Sequence, residues 1–261
     1  MPEGLEAARR DIAACYTHTT RKRNPLPMEQ DLTPKPLTDR IVLVTGAAEG
    51  IGRAVALAAA AQGATLVLSD HPDADVARVY DSIEAAGGAE PAILPLNLDT
   101  ADEAACRAAA DLVGDCFGRL DGLVHCAAFA PFLARVDDYE PSEWERVLRI
   151  NLTSPFLLTQ ACMPLLRASR DAAVIFTSDR VGRTGLAYWG AFSAAKFGIE
   201  GLAQVLAEET RDTSPIRVAC LDPGIVRTGL RARLYPGEDP FSLPAPETAA
   251  PAYLALLAPA G

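Results

Sequence analysis

The chain of 261 residues has a formal charge of −10 and a pI near 4.8, which opposes broad attraction to nucleic acid or to an acidic membrane surface. With 49% hydrophobic and 22% charged residues it has the make-up of a globular protein that buries one sizeable core, not of a disordered chain. Six cysteines without a C-x-x-C pair, and three histidines that do not cluster, offer neither a disulfide framework nor a metal site and suit reduced thiols in the cytoplasm. The first thirty residues carry acids and prolines where a secretory signal needs an apolar centre, and no run of about 18 apolar residues could span a bilayer.

Residues 1–38 lack sustained apolar periodicity and turn proline-rich from Asn24 to Thr38, so they read as a flexible arm and linker. The basic run Arg21, Lys22, Arg23 within it reads as a solvated segment rather than a nucleic-acid patch. From Asp39 to Gly261 the pattern alternates between apolar runs and helical segments. Strands are expected at 40–45, 64–69, 92–96, 120–127, 172–178 and 216–221, with helices at about 53–63, 73–86, 101–117, 142–168 and 188–211. Val76, Val79, Tyr80 and Ile83 form one inward stripe, and Gly63 and Gly87 follow last helical turns. Continuously apolar strands separated by helices specify a single α/β domain, a doubly wound parallel sheet covered on both faces. Residues 222–251, rich in Pro and Gly, read as a substrate lid, and no further strand follows it.

The first strand runs into "TGAAEGIG", which places Gly46, Gly50 and Gly52 before an alanine-rich helix. Glycines there let the backbone turn sharply and approach a diphosphate, while the helix start offers free N–H groups. Asp70 closes the second strand, near the ~20-residue spacing expected of the acid that grips a ribose 2′-hydroxyl. A carboxylate repels a 2′-phosphate, and neither Glu49 nor His71 supplies a strong cation. NAD(H) is therefore favoured, with NADP(H) left open.

Two polar residues fall on apolar stripes. Asn151 follows Trp144, Val147 and Leu148 on the long helix, and Lys196 shares a face with Phe192 and Ile199. Burying an ammonium without a partner is costly, so Lys196 reads as a site residue; a lysine reaching out from a stripe edge is the alternative.

The strings "TGAAEGIG", "LVHCAA", "INLTSPF", the Phe192/Lys196 spacing and "LDPGIVRTGL" resemble the short-chain dehydrogenase/reductase family over residues 39–258. "DRIVLVTGA", "VGRTG", "WGAF" and "RVACLDPG" resemble its YciK-like bacterial branch, whose members begin near Met28 of this chain. The resemblance implies a Rossmann sheet and a catalytic set of Asn, Ser, Tyr and Lys. Tyr donates the proton, Lys lowers its pKa and holds the nicotinamide ribose, Ser orients the carbonyl, and Asn positions a water relay. Carried over by position, Asn151 and Lys196 match, Phe192 stands at the tyrosine and Asp179 at the serine. The cofactor contacts it implies fall on Gly46, Gly50, Ile51, Gly52, Asp70, Asn97, Leu98, Ala127, Lys196, Pro223, Gly224, Val226 and Thr228. Asn97 stands where an adenine-side Asp is usual, and Asp222 replaces the Asn of Asn-Pro-Gly. The family's last strand is missing, and a homodimer or homotetramer joined through long helices is implied.

Phenylalanine donates no proton at any pH, so the tyrosine route is closed at Phe192. Two readings follow. In one, the protein is an NAD(P)-dependent oxidoreductase with an atypical site, acting on a carbonyl or alcohol through Asp179 or a relocated hydroxyl. In the other, it is a catalytically silent dinucleotide-binding sensor or partner subunit.

Overall fold

A computed structural model describes residues 35–260. The expected arm therefore lies almost wholly outside the described residues. Within them, the packed chain starts two residues before Asp39: Leu37 is buried, and its N–H donates to Gln62 O at 3.0 Å.

Six parallel strands form one sheet in the order β3-β2-β1-β4-β5-β6. They are β1 (Ile41–Thr45), β2 (Thr65–Asp70), β3 (Ala92–Pro95), β4 (Gly122–His125), β5 (Ala172–Thr177) and β6 (Ile216–Leu221). The central strands β1, β4 and β5 are buried along their whole length, which is why their sequences run apolar without alternation. On one face pack α1 (Gly50–Ala61), α2 (Ala77–Ala85) and α8 (Ala250–Leu257), closing a core that includes Val55, Val79, Ile83 and Tyr253. On the other pack α3 (Glu103–Phe117), α5 (Ser154–Arg167) and α6 (Gly190–Thr210), with Val113, Leu158 and Ile199. Asp102 caps α3 by accepting from Ala105 N–H at 2.8 Å, and Gly118 ends it at φ +69°.

The long helix expected over 142–168 is divided. α4 (Pro141–Leu148) and α5 are joined by a π-turn over Arg149–Thr153, centred on Asn151. Such wide turns favour functional positions because they displace the backbone ladder. The strand expected over 120–127 is shorter, ending at His125, and the next residues turn away to line a cavity. Among the described residues β6 is a sheet edge and no strand follows it. The expected lid holds α7 (Gly229–Leu234) and two 3-10 turns, at Pro240–Ser242 and Pro246–Thr248.

Above the carboxyl ends of the strands lies a third apolar cluster of Ala130, Val147, Val181, Trp189, Phe192 and Leu234. It joins α4, the start of α6 and α7 into a roof. Among the described residues no helix is long and apolar enough to cross a membrane.

Candidate active site

The cavity lies at the carboxyl ends of the strands, where open α/β sheets take their ligands. It occupies about 360 Å³. Every cofactor position expected from the sequence lines it: Gly46, Gly50, Ile51, Gly52, Asp70, Asn97, Leu98, Ala127, Lys196, Pro223, Gly224, Val226 and Thr228.

The glycine loop is tight for steric reasons. Gly46 has φ +68°, and a Cβ on it would lie 2.8 Å from the backbone of Ala127. α1 begins beside it with neither a side-chain cap nor an acid in its first turn, so its leading N–H groups stay free for an anion. A narrow, uncapped helix start bounded by residues without side chains fits a diphosphate. Asp70 completes that end: its carboxylate accepts from Ala48 N–H and His71 N–H, both at 2.8 Å, which fixes it at the edge of the cavity. The ionisable side chains lining this end are Glu49, Asp70 and His71. Arg53, one helical turn on, is turned toward Glu247 at 3.7 Å.

Lys196 is buried, as its place on the apolar stripe implies: it is 3% exposed, lines the cavity and donates from Nζ to Thr177 O at 2.7 Å. Burial lowers its pKa, and the negative charge of Asp179 works against that shift. Its ammonium lies 5.2 Å from the ring centre of Phe192, one turn earlier on α6. Phe192 also lines the cavity, beside Trp189 at 5.6 Å. Asp179 reaches the cavity from the turn after β5, where its Oδ1 accepts from Val181 N–H at 2.9 Å. Gly182 lets this turn sit against α6, since a Cβ there would come within 3.0 Å of the Lys196 backbone.

Asn151 is placed differently. It does not line the cavity; Nδ2 donates to Phe129 O at 2.7 Å and to Val147 O at 2.9 Å, and Oδ1 accepts from Phe129 N–H at 3.2 Å. Both amide hydrogens are spent inside the protein. Its buried site on the apolar stripe is as expected, and its contacts fix the loop that carries Ala128 and Phe129.

Sequence reasoning missed several lining residues, among them Phe129, Arg146, Thr177 and Trp189. Thr177 is a hub: its carbonyl holds Lys196, and its hydroxyl bonds Tyr253 Oη at 2.8 Å. Arg146 pairs with Asp99 at 2.7 Å and stacks over the Phe129 ring at 4.2 Å. Arg231 pairs with Glu238 through two bonds, at 2.7 and 2.8 Å. Trp189 falls at the start of the helix expected over 188–211, and its sequence position does not say which way its ring turns. Cys126 also lines the cavity, but burial pushes its thiol up to about 11, so it stays neutral. His125 lies beneath, stacked on Phe176 at 4.9 Å with Nε2 against Thr159 Oγ1, and burial pushes its pKa down to about 3.

Comparison with known proteins agrees with this architecture. The sequence profile described as short chain dehydrogenase matches residues 40–239. The oxidoreductase YciK of Escherichia coli K12 is 39% identical over 229 residues, 88% of each chain. A solved structure described as a short chain dehydrogenase from Pseudomonas syringae superposes with a TM-score of 0.85 at 43% identity, covering 89% of this chain and 94% of that one. Another, from Shigella flexneri 2a and complexed with NADP, gives 0.83 at 39% identity, covering 87% and 94%. Family match, parallel sheet and glycine-lined cavity together show that the chain belongs to the short-chain dehydrogenase family, as an oxidoreductase dependent on a nicotinamide dinucleotide.

Proposed function

We propose that this oxidoreductase prefers NAD(H) to NADP(H) and works through an altered active site in which Asp179 and Lys196 are the ionisable groups beside the substrate. Asp70 is the observation that carries the cofactor choice. A 2′-phosphate placed at the end of β2 would meet the carboxylate of Asp70, with His71 as the one basic side chain lining that end. The Shigella relative was solved with NADP, which speaks for the phosphorylated nucleotide; the charge on this chain's own β2 speaks against it.

The loop from Gly46 to Gly52 and the start of α1 would hold the diphosphate, and Asp70 the adenosine ribose. Asn97, Leu98 and Ala127 would flank the adenine side, Lys196 the nicotinamide ribose, and Pro223, Gly224, Val226 and Thr228 the nicotinamide. When bound, the dinucleotide supplies or accepts a hydride. This chain's own contribution is the setting. Phe192 and Asp179 stand where the family carries its tyrosine and serine, and Phe192 offers the substrate an apolar ring with no proton. Asn151 acts as a positioning residue through Phe129. Residues 222–251 close over the site: Thr228 caps α7 beside Gly50, and Leu234 packs with Trp189 and Phe192.

The exposed side chains Phe156 on α5 and Phe197 and Val205 on α6 support a homo-oligomer joined through these helices, and the composition suits a cytoplasmic setting. The test is turnover with either dinucleotide on a panel of carbonyls, alcohols and imines. The parent is expected to turn over, Lys196→Ala to lose it, and Asp179→Ser/Phe192→Tyr to gain carbonyl reduction. Undiminished turnover in Lys196→Ala, or a double variant with no gain, overturns the altered-site reading.

A further inference from the structure

We infer that the reacting group this site accepts is a protonated carbon–nitrogen double bond, an iminium that is reduced to an amine, with Asp179 as its counter-ion. The inference deepens the altered-site reading above and rests on it.

A carbonyl that takes up a hydride becomes an alkoxide, which needs a proton donor or an array of fixed hydrogen bonds. The deep end of the cavity is poorly equipped for that. Phe192 has no donor. The hydroxyl of Ser193 donates to Val181 O at 2.5 Å, that of Ser178 points to Asp179 O at 3.4 Å, and that of Thr177 is held between Tyr253 and Cys126. Lys196, 3% exposed in the cavity wall, donates to Thr177 O at 2.7 Å. Asp179 is instead half-buried and lines the cavity. Among the described residues its side chain accepts one hydrogen bond, at Oδ1 from Val181 N–H, so Oδ2 is left for a ligand. The other cations lining this end are already matched, Arg146 by Asp99 and Arg231 by Glu238. Asp179, which forms no ion pair among the described residues, is therefore a carboxylate that a ligand can reach in this cavity, which also holds the rings of Phe192 and Trp189, with the buried Lys196 ammonium engaged at Thr177 O.

That setting repels an alkoxide and suits a cation, which gains a charge-assisted hydrogen bond from Oδ2 and contact with aromatic faces. The chemistry balances without the missing donor. Hydride, carrying two electrons and one proton, adds to the iminium carbon; the C=N π pair becomes the nitrogen lone pair; the product is a neutral amine, and the reduced dinucleotide ends oxidised. No further proton is required in the step.

Calorimetry tests this on protein saturated with NADH, a state in which an amine can bind without reacting. The probes are 1,2,3,4-tetrahydroisoquinoline, protonated at neutral pH, and isochroman, its uncharged oxygen analogue. The parent is expected to bind the amine about tenfold more tightly or better, the worth of one charge-assisted hydrogen bond. Asp179→Asn, which keeps the cap to Val181, should bring the amine down to the affinity of isochroman while isochroman and NADH bind as before. Equal affinities in the parent, failure to bind the amine, or an unchanged preference in Asp179→Asn each overturns the inference. In a second arm, NADH oxidation by the parent should be faster with 3,4-dihydroisoquinoline than with 1-tetralone, and the reverse order overturns it. Failure of the protein to bind NADH at the outset would instead remove the cofactor reading underneath.

Discussion

The two ends of the sheet spend their charges in opposite ways. At the amino ends of the strands, Asp121 is 5% exposed and accepts from Ile41 N–H, Ser169 Oγ and Arg119 Nε. Beside it, Arg40 donates to the carbonyls of Asp121 and Asp171, and Arg217 ties Asp171 to the carbonyls of Leu256 and Ala258. Among the described residues only Nε of Arg40 lacks a partner in that knot. At the carboxyl ends, Asp179 keeps an oxygen open, the start of α1 is uncapped, and Lys196 sits in a cavity wall. Polar groups that are fully matched hold a fold together; groups left open and pointing at one cavity are there for a ligand.

If that division is right, substitutions at the two ends should separate stability from function. The largest effect is expected for Lys196→Ala, which should lower kcat/KM by about 10²–10⁴ while leaving the melting temperature within a few degrees or raising it, because a buried charge is removed. Steady-state kinetics and a thermal melt check both halves. Next comes Asp121→Ala, expected to cost about 3 kcal/mol by orphaning Ser169 Oγ and the N–H of Ile41 and removing the carboxylate beside Arg40. Urea denaturation reads that loss, and NADH affinity at a temperature where the variant is folded should be unchanged.

His125 sharpens the comparison because it stands at the carboxyl end of β4 yet is closed off from the cavity. Its folded pKa is about 3, below the ordinary value of 6.5, so between those values the unfolded chain binds a proton that the native state does not. Its neutral burial is therefore harmless above pH 6.5 and costs up to ~1.4 kcal/mol per unit as pH falls below it. Urea melts of parent and His125→Gln at pH 7 and pH 5 should show the parent losing more. The smallest effect is expected at Gly182→Ala, where a methyl group against the Lys196 backbone should cost about 1 kcal/mol and shift the turn bearing Asp179. Amine affinity should then fall more than NADH affinity does.

The sheet was legible because parallel strands buried on both faces must read as unbroken apolar runs, and β1, β2, β5 and β6 lie within a residue of their expected bounds. The glycine loop and Asp70 were legible because steric need leaves a residue type at a fixed distance from a strand. The split in the long helix was missed although Pro155, which has no N–H to donate to the carbonyl of Asn151, marks it; the bonds of the Asn151 amide to Phe129 were not legible. Asn151 shows the same limit at the site, where its stripe position foretold burial but not that its amide would face a loop instead of the cavity. Thr177 carried no signal, since it contributes a main-chain carbonyl that every residue has.

The most direct measurement is a competition between NADH and NADPH for the purified protein, followed by energy transfer from Trp189 to the reduced nicotinamide. NADH should bind saturably and more tightly than NADPH, with the order reversed or levelled in Asp70→Arg. Tighter binding of NADPH by the parent would contradict the reading of Asp70 as the acid that selects NADH, and binding of neither would contradict the glycine loop as the dinucleotide seat.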